Sequence, residues 1–552
     1  VKKIIQILIL IIISCFFNKI QAQENYVQIS HEEIYSFLDE LASEKIIELN
    51  SCVKPYSRKF ISSKLFEAQE SKEKMTKRMR DKLAFFLLDF GKENKAFLGS
   101  DFYFSSNFSY PNKTENKKKL DLFHYSDSLF SISINPIIML SYKQNEQGGL
   151  YQRSNGAEAH ASFGKHWGMY VSLRDNYFST SINEANYLIP NQGIIQKKSP
   201  DGSREGEQIH GGISYSWNWG SIGILKDHMQ WGDSYHKSNI ISDRAPSFAR
   251  IDLKLNPVKW FEFNYFHAWL VSNVIDSTRS WHFSNGYRTV MHNKYMAANM
   301  FSFKPFKQLD ISAGNSVVYS DIGIHPGYLI PVMFFKAVDH SINGQSNWTG
   351  QNAQMFFNVS SRQIKHLHLY TSFFIDEIAL GRMWDDSLHS NFFSWKIGAY
   401  CSNLIPDIAF GIEYTRTNPI VYKHFIPTTS FESNDYTMGH YLKDNSQQLY
   451  VHMLYQPHFR WRIKSSFEIS EKGPEFEDIR TNNSVLGLPF LSEIIWYYKA
   501  IEISASYTIM HNCYLSAGAQ YSISPESSQE EYFPEYYSGK QLNVFTGIRL
   551  GF

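Results

Sequence analysis

The stretch WGMYVSLR, Trp167–Arg174, places Trp167, Met169, Val171 and Leu173 on one face of a strand. Gly168, Tyr170, Ser172 and Arg174 fall on the other. A period of two with an apolar face and a charged face suits the wall of a transmembrane barrel, which meets lipid outside and polar groups inside. RWRIKSSFEIS (460–470) repeats the pattern, with Trp461, Ile463, Phe467 and Ile469 against Arg462, Lys464, Ser466 and Glu468. AIEISASYTI (500–509) does so again, with Ile501, Ile503, Ala505, Tyr507 and Ile509 against Glu502, Ser504, Ser506 and Thr508. In QLNVFTGIRLGF (541–552), Leu542, Val544, Ile548, Leu550 and Phe552 share one face, which predicts a closing strand whose terminal aromatic serves the barrel-assembly machinery.

Spacing between these stretches extends the reading. Connections near 164–166, 219–220, 256–259, 305–307, 361–365, 402–406, 458–459 and 510–512 are short. Between them lie long polar ones, near 144–154, 179–206, 227–245, 272–291, 320–349, 378–390, 417–445, 471–497 and 524–539. A sandwich has no reason to keep every second loop short, whereas outer-membrane barrels pair short periplasmic turns with long external loops. The expected fold is mainly β, a transmembrane antiparallel barrel of about eighteen strands over residues 129–552, with both ends periplasmic. Trp167, Trp217, Trp219, Trp260, Phe261, Phe303, Phe306, Phe459 and Trp461 crowd beside the short turns, as an interfacial girdle requires.

Composition agrees. Aromatic residues make up 16% of the 552 positions and charged residues 19%, with a mean hydropathy of −0.34. A helical membrane protein needs long apolar spans, while an alternating wall averages near neutral. A net charge of +1 gives no footing for nucleic acid. Residues 1–22 carry Lys2 and Lys3, an apolar core from Ile4 to Phe17 and Ala22, the layout of a cleaved signal peptide. A second reading takes Ile12–Cys15 as a lipidation box, against which stand apolar Phe16 and Phe17. Residues 23–95 have helical periodicity and predict a periplasmic helical bundle. Ser30 and Glu33 have the spacing of a capping box, a second helix starts near Ser57, and a third carries Met75, Met79, Leu83, Leu87 and Phe90 before Gly91. Residues 96–128 are left as a connector.

Catalytic and metal signatures are sparse. His160 and Ser162 share a strand face, but their alternation points them into the lumen rather than at lipid. His366 and His368 offer two ligands where a metal site needs a third. Cys52, Cys401 and Cys513 have neither disulfide nor zinc spacing. No cofactor, metal or catalytic residue is implied, and the expected function is non-enzymatic. The long loops carry chemistry suited to sugars, whose C–H faces want flat aromatics beside amide, carboxylate and guanidinium groups. Candidate carbohydrate-binding residues are Trp231, Asp233, Tyr235, Arg279, Trp281, His282, Tyr287 and Trp348.

Three local stretches carry a family resemblance: HPGYLIPVMFF (His325–Phe335), LYTSFFIDEI (Leu369–Ile378), and EEIYSFLDELASEKII (Glu32–Ile47) followed by KPYSRKFISSKL (Lys54–Leu65). With the barrel layout, the chain resembles the capsule-assembly Wzi family of outer-membrane proteins. The resemblance implies an outer-membrane lectin that anchors capsular or extracellular polysaccharide, its lumen blocked by inward loops and helices. It transfers no glycan-contact residue. The competing expectation is a porin or channel for small solutes or oligosaccharides, since about eighteen strands enclose an aqueous lumen if nothing plugs it. Loops 179–206 and 320–349 are the segments expected to fold inward as plugs.

Overall fold

The computed structural model describes residues 24–93, 101–104, 121–344, 350–476, 487–526 and 531–551. The signal peptide expected over residues 1–22 lies outside them. Eighteen strands form the wall. The first six are β1 (Phe130–Asn145), β2 (Gly148–Phe163), β3 (Trp167–Phe178), β4 (Arg204–Trp217), β5 (Gly220–Asp227) and β6 (Phe248–Val258). The next six are β7 (Phe261–Ile275), β8 (Met291–Phe306), β9 (Leu309–Ser320), β10 (Asn352–Ser361), β11 (Leu367–Glu377) and β12 (Phe392–Ser402). The last six are β13 (Ile408–Thr417), β14 (Ser446–Tyr455), β15 (Trp461–Lys472), β16 (Trp496–Met510), β17 (Cys513–Ile523) and β18 (Lys540–Leu550). Consecutive strands pair antiparallel, and β18 closes on β1 from Val544↔Gln144 to Leu550↔Ile138.

Alternation in sequence becomes orientation in space. On β3, Trp167 and Leu173 are 46% and 48% exposed, while Tyr170, Ser172 and Arg174 are buried. A row of such exposed apolar side chains, repeated on β5, β12 and β16, is stable only against hydrocarbon. One loop departs from expectation. Residues 144–154 are not a long connection, because β1 and β2 continue to Asn145↔Gly148 around a two-residue turn, Glu146–Gln147. The polar residues there mark where the hairpin leaves lipid, not where pairing stops.

The expected connector also joins the sheet. Phe123–Ser126 pairs with β1 from Phe123↔Ile134 to Ser126↔Ser131, alongside the part of β1 that β18 does not reach, and 101–104 pairs with it in turn. Residues 105–120 lie outside the described set.

Among the described residues, three α-helices precede the barrel: α1 (Glu32–Ser43), α2 (Arg58–Glu70) and α3 (Lys77–Phe90). Ser57 and Thr76 cap α2 and α3 by accepting from the amides of Phe60 and Met79. The expected capping box on α1 does not form. His31 stands at its N-cap without a side-chain bond to the helix amides, and Glu33 accepts from Thr508 Oγ1 of the wall at 3.0 Å. The contact to the wall takes the carboxylate that a local cap would use. Phe37, Leu38, Leu41, Ile61, Leu65, Met79, Leu83 and Phe86 make the bundle core, each contributing about 2 kcal/mol by burial.

The bundle seats in the short-turn mouth of the barrel. Lys45 Nζ donates to the Gln363 carbonyl at 2.6 Å, and Arg78 Nε to Asp407 at 2.6 Å. Lys82 Nζ reaches Gln456 at 2.7 Å, and the His511 ring stacks on Phe85 with centroids 3.6 Å apart. Those partners lie in four different short turns, so the helices cap the lumen there. By the loop asymmetry this mouth is periplasmic.

Two buried carboxylates predict how acid acts on this bundle. Arg58 donates to Asp89 at 2.9 Å, and Lys92 pairs with Asp121. Burial pushes the Asp121 carboxyl up, and Lys92 more than offsets it, holding it at about 2. Asp89, against burial, is held well below the usual carboxylate range by Arg58. Both pKa values are depressed on folding, so the stabilisation is complete above about pH 4 and lost as pH falls through the folded values. Helical circular dichroism is expected to hold its thermal midpoint from about pH 7 to 5 and to lose it below about pH 4, with about 2 kcal/mol from Asp121 alone. An unchanged midpoint at about pH 3 contradicts this assignment.

Candidate functional site

The loop between β5 and β6 enters the lumen. Its residues Gln230–Trp231 pair as a short antiparallel ribbon with Val53–Lys54, the extended chain between α1 and α2. Trp231 is 2% exposed, its ring edge-on to Phe266 and Phe356 at 5.1 and 5.8 Å. Asp233 accepts from Ser51 Oγ and, at 2.7 Å, from Asn358 Nδ2. Tyr235 stacks on Tyr400 at 4.2 Å, and its hydroxyl meets His368 Nδ1 at 2.9 Å. Burial pushes the Tyr235 phenol well above its ordinary range. Trp231, Asp233 and Tyr235 are therefore not on an external loop as expected. The physical reason lies in the wall, where Phe266, Met296, Met300, Phe356, Phe374 and Phe392 turn apolar side chains inward and need covering. Ile420, Val421, Tyr422, Phe431, Tyr436 and Met438 of the β13–β14 loop complete this internal core.

Between α1 and the inward loop remains a cavity of about 630 Å³. Arg174, Arg462, Lys464 and Arg549 reach it from the wall and Lys237 from the loop, facing Glu32 of α1. Withdrawal from bulk water into the barrel pushes the Glu32 carboxyl up, but its side chain is open to the cavity and Arg462, Lys464 and Arg549 hold it at about 2. Part of the β3–β4 loop, including Asn183 and Gln192, closes the cavity wall as the sequence led us to expect. The β9–β10 loop, the other segment expected to plug the lumen, does not enter it: Tyr328 and Phe335 pack instead on Tyr265, Ala297, Val317 and Tyr319, which point out of the barrel.

The histidines weighed in the sequence take up separate places. Ser162 Oγ accepts from Asn25 at 3.3 Å under the N-terminal segment, away from lipid, with His160 two residues before it on the same face. His366 sits in a short turn at φ 71° with Nδ1 2.8 Å from Glu44, while His368 is lumenal and meets Ser360 at 2.8 Å. Among the described residues no three His, Cys, Asp or Glu side chains converge as a metal site.

The loop between β7 and β8 stands free. Trp281–Phe283 and Gly286–Arg288 form a small hairpin that pairs Trp281↔Arg288 and His282↔Tyr287. Trp281 and Tyr287 are 49% and 46% exposed. The Arg288 guanidinium lies 4.7 Å over the Trp281 ring, and the His282 and Tyr287 rings are 4.6 Å apart. Each face of the arm thus carries an aromatic beside a polar or cationic group, the pairing that stacks on a sugar ring and bonds its hydroxyls. Arg279 serves the base, donating from Nε to Asp276 at 2.6 Å and from Nη2 to the Met291 carbonyl at 3.1 Å. Of the candidates, the structure brings Trp281, His282 and Tyr287 together on one exposed arm and adds Arg288, whose register opposite Trp281 is set by the two-residue turn Ser284–Asn285. Trp348 lies outside the described residues.

With this geometry in hand, the chain compares with known proteins as follows. The family model described as capsule assembly protein Wzi matches residues 143–531. No curated protein matches in sequence. Among solved structures, the Escherichia coli outer-membrane protein Wzi, described as a carbohydrate-binding β-barrel involved in group 1 capsule assembly, aligns with a TM-score of 0.56 at 11% identity. That alignment covers 97% of this chain and 99% of the other, and is a likeness of fold. Acinetobacter baumannii OccAB2 aligns with a TM-score of 0.42 at 8% identity over 77% of this chain and 99% of that one. The match of the family model over most of the sequence makes this chain, an outer-membrane β-barrel, a member of the capsule assembly protein Wzi family.

Proposed function

We propose that the protein binds exported capsular or extracellular polysaccharide and holds it at the cell surface, by binding and without catalysis. The observation that carries this reading is a barrel closed along its axis. The helices fill the short-turn mouth and the inward-turned β5–β6 and β13–β14 loops fill the lumen, so a path for solute is blocked while an aromatic arm faces outward. The description of the Escherichia coli relative as a carbohydrate binder supports the same reading. Occlusion argues against the channel alternative.

Trp281 and Tyr287 supply the flat surfaces for sugar contact, with His282 and Arg288 as hydrogen-bond partners. Replacing Trp281 by alanine is expected to weaken binding of polysaccharide purified from the host by about tenfold, the loss of one aromatic contact of about 1–1.5 kcal/mol. Trp281→Ala with Tyr287→Ala is expected to lose more. Retention by immobilised protein measures it, and binding of the double variant equal to the parent removes the arm from the site.

A further inference from the structure

The β9–β10 loop folds back along the outside of the barrel, and it does so at the depth of the membrane. Outward-facing positions are fixed by register. A lower row runs Phe261↔Phe303↔Ile311, a middle row Tyr265↔Asn299↔Asn315, and an upper row Trp269↔Tyr295↔Tyr319. The lower row belongs to the aromatic girdle beside the short turns. The middle row stands four residues along the strand, about 13 Å, which a tilt of about 40° reduces to about 10 Å along the membrane normal. An apolar band of about 25 Å places that row near its centre.

At this depth the wall is polar and covered. Asn299, His267 and Tyr319 point outward, yet are 0%, 1% and 0% exposed, whereas outward Ile397 on β12 is 54% exposed. The cover is residues 325–343. Asn299 Nδ2 donates to the carbonyls of Pro331 and Met333, both at 2.8 Å, and Asn315 Oδ1 accepts from the Phe335 amide at 2.8 Å. Tyr265 donates its hydroxyl to the Tyr328 carbonyl at 2.9 Å. Backbone outside regular structure is tolerated in hydrocarbon only where protein satisfies its polar groups, and these side chains do so. The chain then returns upward as α4 (Phe335–Asn343), whose Asp339 accepts from the Gln351 amide at 3.1 Å.

Among the described residues, none covers the other face of the segment. Leu329, Ile330, Val332, Met333 and Phe334 are 37–63% exposed, at the same depth as the lipid-facing side chains of the wall. We propose that residues 325–343 are an intramembrane element whose outer face binds acyl chains of the outer leaflet. The surface is continuous with the lipid-facing wall, and the polar wall beneath it forbids lipid from taking the place of the segment.

The test uses the full chain in proteoliposomes, with Cys401→Ser as parent because that thiol is the partly exposed one. Single cysteines are placed at Val332, at Ile397 as a wall reference and at Trp384, 89% exposed, as an aqueous reference. With a membrane-impermeant maleimide, Val332→Cys is expected to react at least tenfold more slowly than Trp384→Cys and at the pace of Ile397→Cys. With a lipid-dissolved carbene photoreagent, whose insertion needs no thiolate, the segment around Val332 is expected to label as readily as the wall around Ile397. Reaction with the impermeant reagent as fast as Trp384→Cys puts the segment in water and overturns the proposal. Shielding from both reagents overturns it in favour of a protein cover such as a second copy. Phe334→Cys repeats the comparison where Val332→Cys folds poorly, and adding Asn299→Ala is expected to raise aqueous labelling at Val332.

Discussion

Replacing Arg362 by methionine is expected to unseat the helical bundle at a cost of about 3–5 kcal/mol. Arg362 lies in the short turn after β10 and is 1% exposed. Its Nη2 donates to Asp39 of α1 and to Ser51 Oγ, both at 2.8 Å, and Nη1 donates to the Leu49 carbonyl at 3.3 Å. Ser51 in turn donates to Asp233 of the inward loop. One guanidinium thus ties wall, helices and plug loop at a single node. Methionine keeps the bulk but leaves the Asp39 carboxylate buried without its partner, and lysine restores charge without the forked geometry. The helical signal is expected to melt ahead of the barrel in Arg362→Met, with Arg362→Lys between it and the parent. Coincident melting of helices and barrel at the parental temperature contradicts the node.

The second large effect concerns conductance. The full chain is expected to give no steady current in planar bilayers. Excising residues 229–244, bridging the gap with a short Gly-Ser linker and unseating the helices by Arg362→Met is expected to open it, because Met229, Trp231, Ile240 and Ile241 fill the lumen while the helices cap its short-turn mouth. Excision also removes Asp233, the carboxylate that meets Ser51, and the ribbon between Trp231 and Val53. An eighteen-stranded wall with its filler removed has room for water and ions. Unseating the helices alone should leave the bilayer silent, since the inward loops still fill the lumen. Steady conductance by the parent protein contradicts the closed-barrel reading.

Much of the wall was legible from residues alone. Trp167–Arg174 announces its two faces, and the short turns fall where the girdle aromatics say they should. Loop direction was not legible from the loops. HMQWGDSYHKSN (228–239) has the same composition whether it hangs in water or lines a lumen, so Trp231 and Asp233 read as external when they are buried. The signal was in the strands: FNYFHAWL (263–270) and YMAANMF (295–301) are apolar on both faces, unlike WGMYVSLR. Inward Phe266 and Met300 call for a filled lumen, and outward Tyr265 and Asn299 call for a cover outside. HPGYLIPVMFF pointed to the family but carries no mark of which side of the wall it takes. The side is set by Asn299 and Asn315, distant in sequence from most of what they hold.

The most direct test of the anchoring claim is to delete the gene in its own host and to quantify surface polysaccharide separately in the cell-bound and medium fractions. Total polysaccharide is expected to hold while the cell-bound share moves into the medium, and re-expression of the parent but not of the Trp281→Ala, Tyr287→Ala variant is expected to restore it. Both fractions unchanged from the parent strain would contradict anchoring.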